Sequence, residues 1–477
     1  VSTLRGAMAD NGDWSLDPTT PGLILGTPDM IGSRLLFRGY GIGRSRAATH
    51  AGLLGIDTLV VHDEAHLAPA FSAVLREIET LAAPSAIAVG RPPLHVLEMT
   101  ATLPPQAKTA NFLECAIGDD PALTKRMSAP KWLKLVRVDV AQRGKHKPAA
   151  LVLNTLAERA LAYAGACKAV AIFVNRPDAA AQLAERLLKG GIPAERIVPL
   201  TGTLRGWERE QLTRTEGFLR FSPDRTYEAA PTAYFLCTSA GEIGLDIDAD
   251  VGLMDLVTLD RVIQRAGRVN RRGSQIGELI LVHAGGAELD GPLLAPSLAT
   301  LALLNALEET PDGRDASPLA LSRLTDDPQY ATAIPPTPPR RGLEPALLAQ
   351  WAMTALRLDA LRVPAPDLFL HGLDDNDLDV DMVWRQFPGD AARLPDWFEA
   401  WPVLRHERAR LPLFKARNLI EALWASVQRQ DADAPAFVIL DSQGRVIEGG
   451  VFTGRNELRP VVRCVAVRCG RERHHPQ

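Results

Sequence analysis

No run of about 18 apolar residues occurs anywhere in this 477-residue sequence, so no segment reads as a membrane-crossing helix. The N-terminus, VSTLRGAMADNGDW, lacks a basic start followed by an apolar core, and no secretory signal is expected. Cysteine is scarce and odd in number, five in all. That excludes a disulfide framework and points to a reducing, cytoplasmic setting. Cys464 and Cys469 form the one close pair, and without a second pair beside them zinc is not expected. A strong charge of one sign is also missing: the formal net charge is −4. Any nucleic acid must therefore be held by a local groove and not by a global basic field. No G-x-x-x-x-G-K-[ST] segment exists, and with it goes the usual backbone cradle for the β- and γ-phosphates. The chain begins at Val1, close to a motif, which suggests a fragment.

What is present reads as soluble and globular, with 46% hydrophobic and 23% charged residues. The length calls for several domains. From residue 22 to about 285 short apolar runs alternate with helix-like patterns. The runs are GLILGT (22–27), IDTLVVH (56–62), LHVLEMT (94–100), AVAIFVN (169–175), RIVPLT (196–201), AYFLCTS (233–239) and ELILVH (278–283). Between them lies, for example, PDAAAQLAERLLKGG, with Pro177 near its start and Gly190 after its end. Apolar strands alternating with helices predict an α/β class with parallel sheets covered on both faces. TLRG occurs at 3–6 and again at 203–206, each time ahead of an apolar strand that ends in threonine, Thr27 or Thr238. That placement suggests two related lobes, parted near 138–153. The Pro-rich 331–342 reads as a stiff linker. Five of the eight tryptophans follow it (Trp351, Trp384, Trp397, Trp401, Trp424), as expected of a small accessory domain with its own core.

Four segments carry chemistry. LVVHDEAHLAP (59–69) can be parsed as an HD metal pair, His62-Asp63, or as an acidic DEAH box, Asp63 to His66. In the second parse Asp63 holds Mg²⁺ through its water shell, Glu64 orients and deprotonates water, and His66 links the loop to its neighbours. EMTATLP (98–104) ends a strand in Thr100-Ala101-Thr102, hydroxyl residues that can connect the acidic loop to a neighbouring lobe. TSAGEIGLDID (238–248) ends a strand in Thr238 and Ser239. Gly241 and Gly244 there allow close backbone approach to a phosphate, and Asp246 faces the nucleotide. RVIQRAGRVNRRG (261–273) places Gln264, Arg268 and Arg271 on one face if it is helical, with Arg265 beside them. Arginines repeated along one face need an anion, and a γ-phosphate is the expected one.

In this order the segments resemble a superfamily 2 helicase. The resemblance covers roughly residues 1–285. Asp63–His66 look like motif II, Thr100–Thr102 motif III, Thr238–Asp246 motif V and Gln264–Arg271 motif VI. AIFVNR (171–176) looks like motif IV, and LILGTPDMIGSRLL (23–36) looks like motif Ib. GTPDMIGSRLLFRGYG, LTGTLRGWERE, VIQRAGRVNR and LFLHGLDDND…VDMVWR are together similar to the CRISPR-associated type I helicase–nuclease, most like its I-U (I-G) branch. The resemblance implies two tandem RecA-like lobes, the first truncated at its N-terminus, plus a C-terminal accessory domain. Lobe 1 would span 1–140 with motifs Ib, II and III. Lobe 2 would span 150–290 with motifs IV, V and VI. A linker would fill 291–342 and the accessory domain 343–477. It further implies ATP and Mg²⁺ as cofactors and 3′-to-5′ movement on single-stranded DNA. The partners would be an RNA-guided surveillance complex and an HD nuclease domain outside this chain. Asp63, Glu64, Gln264, Arg268 and Arg271 would be catalytic. His66, Gly244, Asp246 and Arg265 would face the nucleotide with Asp63. Thr27, Arg34, Thr100, Thr102 and Thr238 would touch nucleic acid. Two family features are absent from the sequence: the phosphate cradle and the HD nuclease. Only one of the ten histidines, His62, is followed by Asp, which favours the DEAH parse.

Overall fold

A computed structural model describes residues 1–4, 13–17, 19–40, 42–100, 113, 118, 120–140, 147–225, 230–242, 245–355, 364–372, 379–385, 393–430, 436–440, 446–451 and 464–468. The chain divides into two compact units, one of residues 1–108 and 336–376, the other of 109–335 and 377–477.

The first unit holds two short parallel pairs. Strand β1 (Ser2–Leu4) runs beside β2 (Ile24–Gly26), and β3 (Thr58–His62) beside β4 (Leu94–Glu98). Helices Pro28–Leu35, Arg44–Gly55 and Pro69–Ala88 follow in the crossovers. Pro28 and Pro69 sit in the first helical turn, where a missing N–H costs nothing. The core gathers Leu35, Leu54, Phe71, Val74, Leu75 and Ile78. Coverage of both strand faces was expected, but β3 alternates: Leu59 and Val61 are exposed while His62 is buried.

The segment 291–342 was expected to be a linker, and the structure differs. Helix Leu294–Asn305 and the hairpin strands β11 (Glu309–Thr310) and β12 (Gly313–Asp315) belong to the second unit. Residues 336–376 return to the first. Leu343, Leu347 and Trp351 recur at helical spacing and are buried with Phe369 and Leu370 in the core around Phe71 and Leu75. Arg340 and the Leu343 amide both reach Glu77, at 2.6 and 2.8 Å. Proline content marked the stretch as solvated, whereas the apolar spacing that follows decides its placement.

The second unit is built on an eight-stranded sheet. Its remaining strands are β5 (Lys131–Arg137), β6 (Ala169–Phe173), β7 (Ile197–Leu200), β8 (Ala233–Cys237), β9 (Val251–Asp255) and β10 (Gly277–His283). The order is β11-β12-β5-β10-β9-β6-β8-β7. From β5 to β7 all neighbours are parallel, and β12 adds antiparallel at the β5 edge. Strands β6 and β8 are buried at every residue, as a sheet covered on both faces requires. Pro177–Lys189 is a helix capped by Gly190, as its pattern predicts. The two units repeat one detail: the Thr27 amide donates to Leu4 O at 3.3 Å, and the Thr238 amide to Leu200 O at 3.4 Å. The TLRG copies do not correspond in the same way: Thr3 and Leu4 lie in β1, whereas Thr203 and Leu204 lie past β7.

Residues 377–477 carry a separate sheet. Strands β13 (Asp379–Arg385), β14 (Ala409–Pro412), β15 (Ala436–Leu440), β16 (Val446–Val451) and β17 (Cys464–Arg468) lie in the order β14-β13-β17-β15-β16. Helix Leu413–Gln430 packs with Val380 and Met382, and helix Leu394–Ala400 with Val383 and Val438.

Trp351 is fully buried, with its ring edge-on to Phe369 at 5.2 Å. Truncating Trp351 to Ala should cost about 3–5 kcal/mol in urea unfolding of the first unit. A loss below about 1 kcal/mol would show that 336–376 does not belong to that core.

Candidate nucleotide and nucleic-acid sites

In the first unit the chain leaves β3 at His62 and enters a tight turn. His62 is buried, bonded through Nδ1 to Ser72 Oγ at 3.0 Å and edge-on to Phe71. Burial, only partly opposed by Glu98 and Asp63, pushes its pKa below the ordinary value. It is a neutral packing residue beside an exposed Asp63. That arrangement suits the acidic-box parse and not a metal-binding HD pair. Asp63 Oδ1 accepts the Glu64 amide at 3.0 Å. Glu64 takes a left-handed φ of 50°, an uncommon state for a non-glycine and one often found at functional turns. The β3–β4 ladder continues past both strands: Met99 N donates to His62 O and Ala65 N to Met99 O. This brings Thr100 beside the turn. Thr100 Oγ1 lies 2.8 Å from His66 Nδ1, and Glu64 Oε2 lies 3.5 Å from the same nitrogen. His66 thus joins the acidic loop to the strand end, as expected of it. Thr100, expected at nucleic acid, spends its hydroxyl on that link. Thr102 lies outside the described residues.

Thr27 caps helix Pro28–Leu35, accepting the Met30 amide at 3.4 Å. Arg34 differs from its expected role at DNA. It is 3% exposed and its Nη1 donates to Met30 O at 2.9 Å, within its own helix. A guanidinium so placed is not presented to a phosphate.

The second unit concentrates charge at the carboxyl ends of β6, β8 and β9. Glu242, just after β8, is 2% exposed. It accepts Arg261 Nε and Nη2 at 3.0 and 2.8 Å and Arg265 Nε at 2.7 Å. Its main-chain carbonyl accepts Arg268 Nε and Nη2 at 3.0 and 2.6 Å. Arg268 also donates to Leu245 O. Asp255 takes Arg265 Nη1 at 2.8 Å and the Asn175 amide at 2.9 Å, while Asn175 Oδ1 accepts Arg261 Nη1 at 2.6 Å. Burial alone would raise the Glu242 carboxyl, but Arg265 and Arg261 outweigh it and hold it below the usual range. Burial likewise works to lower Arg265, and Asp255 and Glu242 more than reverse it.

This geometry revises two expectations. Gln264, Arg268 and Arg271 do not share a helical face, because the helix Leu259–Ala266 ends before Arg268. Gly267 caps it, Val269 forms an isolated bridge to Ala249 ahead of β9, and Asn270 turns with φ 45°. Nor does Arg265 face a nucleotide: it is fully buried in its ion pairs. Arg271 does reach the surface, its Nε 3.1 Å from Asp246, and its amide donates to Asp248 at 2.8 Å. Thr238 is buried, and Gly244 lies outside the described residues. Glu242, Asp255, Asn175 and Arg261 had no assigned role in the sequence reading. The available signal was an arginine excess after residue 260 that required buried acids to balance it.

Glu242→Gln should cost about 3–5 kcal/mol, since it leaves Arg265 buried against a weakened partner. The carboxylate's contribution is present above its ordinary value of 4.5 and is lost as pH falls through its lower folded value. Acid unfolding of the Gln variant should therefore lack that limb. An unchanged acid limb would show that Glu242 is not charged in the folded state.

Residues 166–274 match the family described as CRISPR-associated nuclease/helicase Cas3, C-terminal. The matched segment lies within the second unit. No curated protein sequence matches the chain. Among solved structures, T. fusca Cas3 superposes with a TM-score of 0.53 at 16% identity, covering 98% of this chain and 58% of that one. Its ADP complex gives 0.51 at 18% identity, over 89% and 55%. The DUF1998 helicase MrfA bound to DNA and AMPPNP gives 0.50 at 14% identity, over 98% and 59%. The fold is the tandem RecA-like architecture of those proteins, and the chain spans a little over half the length of each.

Proposed function

We propose that this chain is the motor portion of an ATP-dependent helicase of type I CRISPR interference, moving 3′-to-5′ on single-stranded DNA. The observation that carries the reading is the Cas3-family match over 166–274, a segment that also presents Arg271 at the surface. In this reading Glu64 orients and deprotonates the attacking water, and Arg271 meets the γ-phosphate. Arg268 fixes the loop that carries Asp246. Mg²⁺, when bound, neutralises phosphate charge. The exposed carboxylate of Asp63 fits a cation held through water and phosphate oxygens. Thr27, at the end of β2, would meet the DNA backbone, whereas Thr238 is buried at the end of β8 and would not. Recruitment by an RNA-guided surveillance complex and a partner HD nuclease belong to the same proposal. A general superfamily 2 helicase acting on RNA is the competing reading, and substrate choice separates the two.

The test is the ATPase rate of the protein as encoded in its source, with single-stranded DNA or RNA. DNA should stimulate it and RNA should not. Arg271→Ala should lower turnover about a thousandfold, and Glu64→Gln should abolish turnover while nucleotide still binds. RNA-only stimulation would favour the competing reading, and full turnover in Glu64→Gln would remove the acidic box from the chemistry. Residues 1–477 alone, lacking a G-x-x-x-x-G-K-[ST] segment, should bind ATP weakly and turn it over little. Vigorous turnover would require another phosphate cradle.

A further inference from the structure

Outside the carboxyl ends of β6 and β9 lies a cavity of about 430 Å³. That falls within the roughly 300–1,000 Å³ of small-molecule sites, and the carboxyl edge of a parallel sheet is where such sites form. Its walls are largely apolar, with Leu153, Leu156, Val257 and Leu289 among them. Two polar groups stand out. Thr258 caps the helix Leu259–Ala266, yet its hydroxyl makes no capping bond. The residue is 2% exposed, and its Oγ1 finds no hydrogen-bond partner among the described residues. Asn175 is the other. Its oxygen is committed to Arg261 at 2.6 Å, which fixes the amide orientation and leaves Nδ2 to donate.

The charges lining the cavity are largely spent. Arg261 is held by Glu242, Asp255 by Arg265, and Glu288 by the amides of Ala284 and Gly286. Exposed Lys147 and Arg176 stand against exposed Asp290. A dianion would find little uncompensated positive charge here. A neutral planar group with hydrogen-bonding edges would find apolar walls, one amide donor and one hydroxyl able to donate or accept. Nucleobases drawn out of a stack are recognised in this way. The same sheet edge carries Thr238: Phe173 of β6 pairs with Cys237 of β8, and the Val174 amide donates to Cys237 O at 2.9 Å.

We propose that this cavity receives one unstacked nucleobase of the bound single strand, read by Asn175 Nδ2 and Thr258 Oγ1 between apolar walls. The inference rests on the nucleic-acid reading above and deepens it. It separates one base from its neighbours on the strand, which a groove that tracks only phosphates does not do.

The test compares binding of a fluorescein-labelled single-stranded DNA with an identical strand made abasic, and adds free adenosine and thymidine as competitors. The chain should prefer the base-bearing strand about tenfold, equivalent to about 1.4 kcal/mol. Ala179→Phe, which fills the cavity, should abolish that preference and leave abasic binding unchanged. Thr258→Val keeps the shape, guards against a misfolded Phe variant, and should reduce the preference. A 2-aminopurine strand should brighten with the unmodified chain and not with Ala179→Phe. Equal affinity for both strands, with or without Ala179→Phe, would overturn the proposal while leaving a DNA-binding function intact. Free nucleosides that saturate the cavity without displacing the strand would overturn it too, reassigning the cavity to a free ligand. Failure to bind either strand would overturn the underlying function along with it.

Discussion

A single buried carboxylate, Glu242, organises the second lobe. Two guanidiniums close on its side chain and a third on its carbonyl. An ion pair out of water is weak as a source of stability but severe as a constraint, because removing one partner strands the other. The constraint explains why four segments distant in sequence hold one geometry. Asn175 just past β6, Glu242 and Leu245, Asp255 at the end of β9 and the helix Leu259–Ala266 are tied through shared arginines. Arg271 and Asp246 sit outside this frame, half-exposed, and form the part of the cluster open to a ligand.

The first lobe reaches a comparable result with weaker means. Among the described residues no buried arginine anchors the acidic turn. Two backbone bonds prolong the β3–β4 ladder, and one imidazole joins Glu64 to Thr100. Neutral hydrogen bonds of this kind each contribute about 1 kcal/mol net. The turn is accordingly easier to displace than the arginine cluster. In the proposed function the carboxylates of that loop would meet a metal and a water, and the arginine frame would hold its position.

Much of this was legible in the sequence because it is local. Apolar runs bounded by Gly and Pro gave the strands, and the residues just past their ends gave Asp63, Glu64, Thr100 and Thr238. The association of His66 with Thr100 follows from two neighbouring parallel strands ending at the same level. The errors share a cause: pairing and termination depend on partners far along the chain. Helical periodicity placed Arg268 and Arg271 on one face, but the helix ends at Ala266 and an isolated bridge ties Val269 to Ala249, ahead of β9. Arg265 was expected at the nucleotide, but its partners are two acids, Glu242 and Asp255, that lie 23 and 10 residues away. The supposed linker failed in the same way: a Pro-rich stretch reads as a spacer until its apolar neighbours find a core.

Lys131 shows how the frame delivers Arg271 to the surface. Its ammonium is buried and donates to Ala266 O at 2.8 Å, at the last turn of the Arg265 helix. A cation at that end complements the helix dipole and satisfies a carbonyl that has lost its helical partner. Burial pushes the lysine down to about 8, so near neutral pH it remains mostly charged and the bond is retained. With the carbonyl held, the chain can leave the helix at Gly267, accept the Ala249 amide at Arg268 O, donate the Asn270 amide to Ala249 O, and turn. Arg271 then emerges beside Asp246. One buried cation at the helix end and one buried anion at its side together fix where the exposed arginine points.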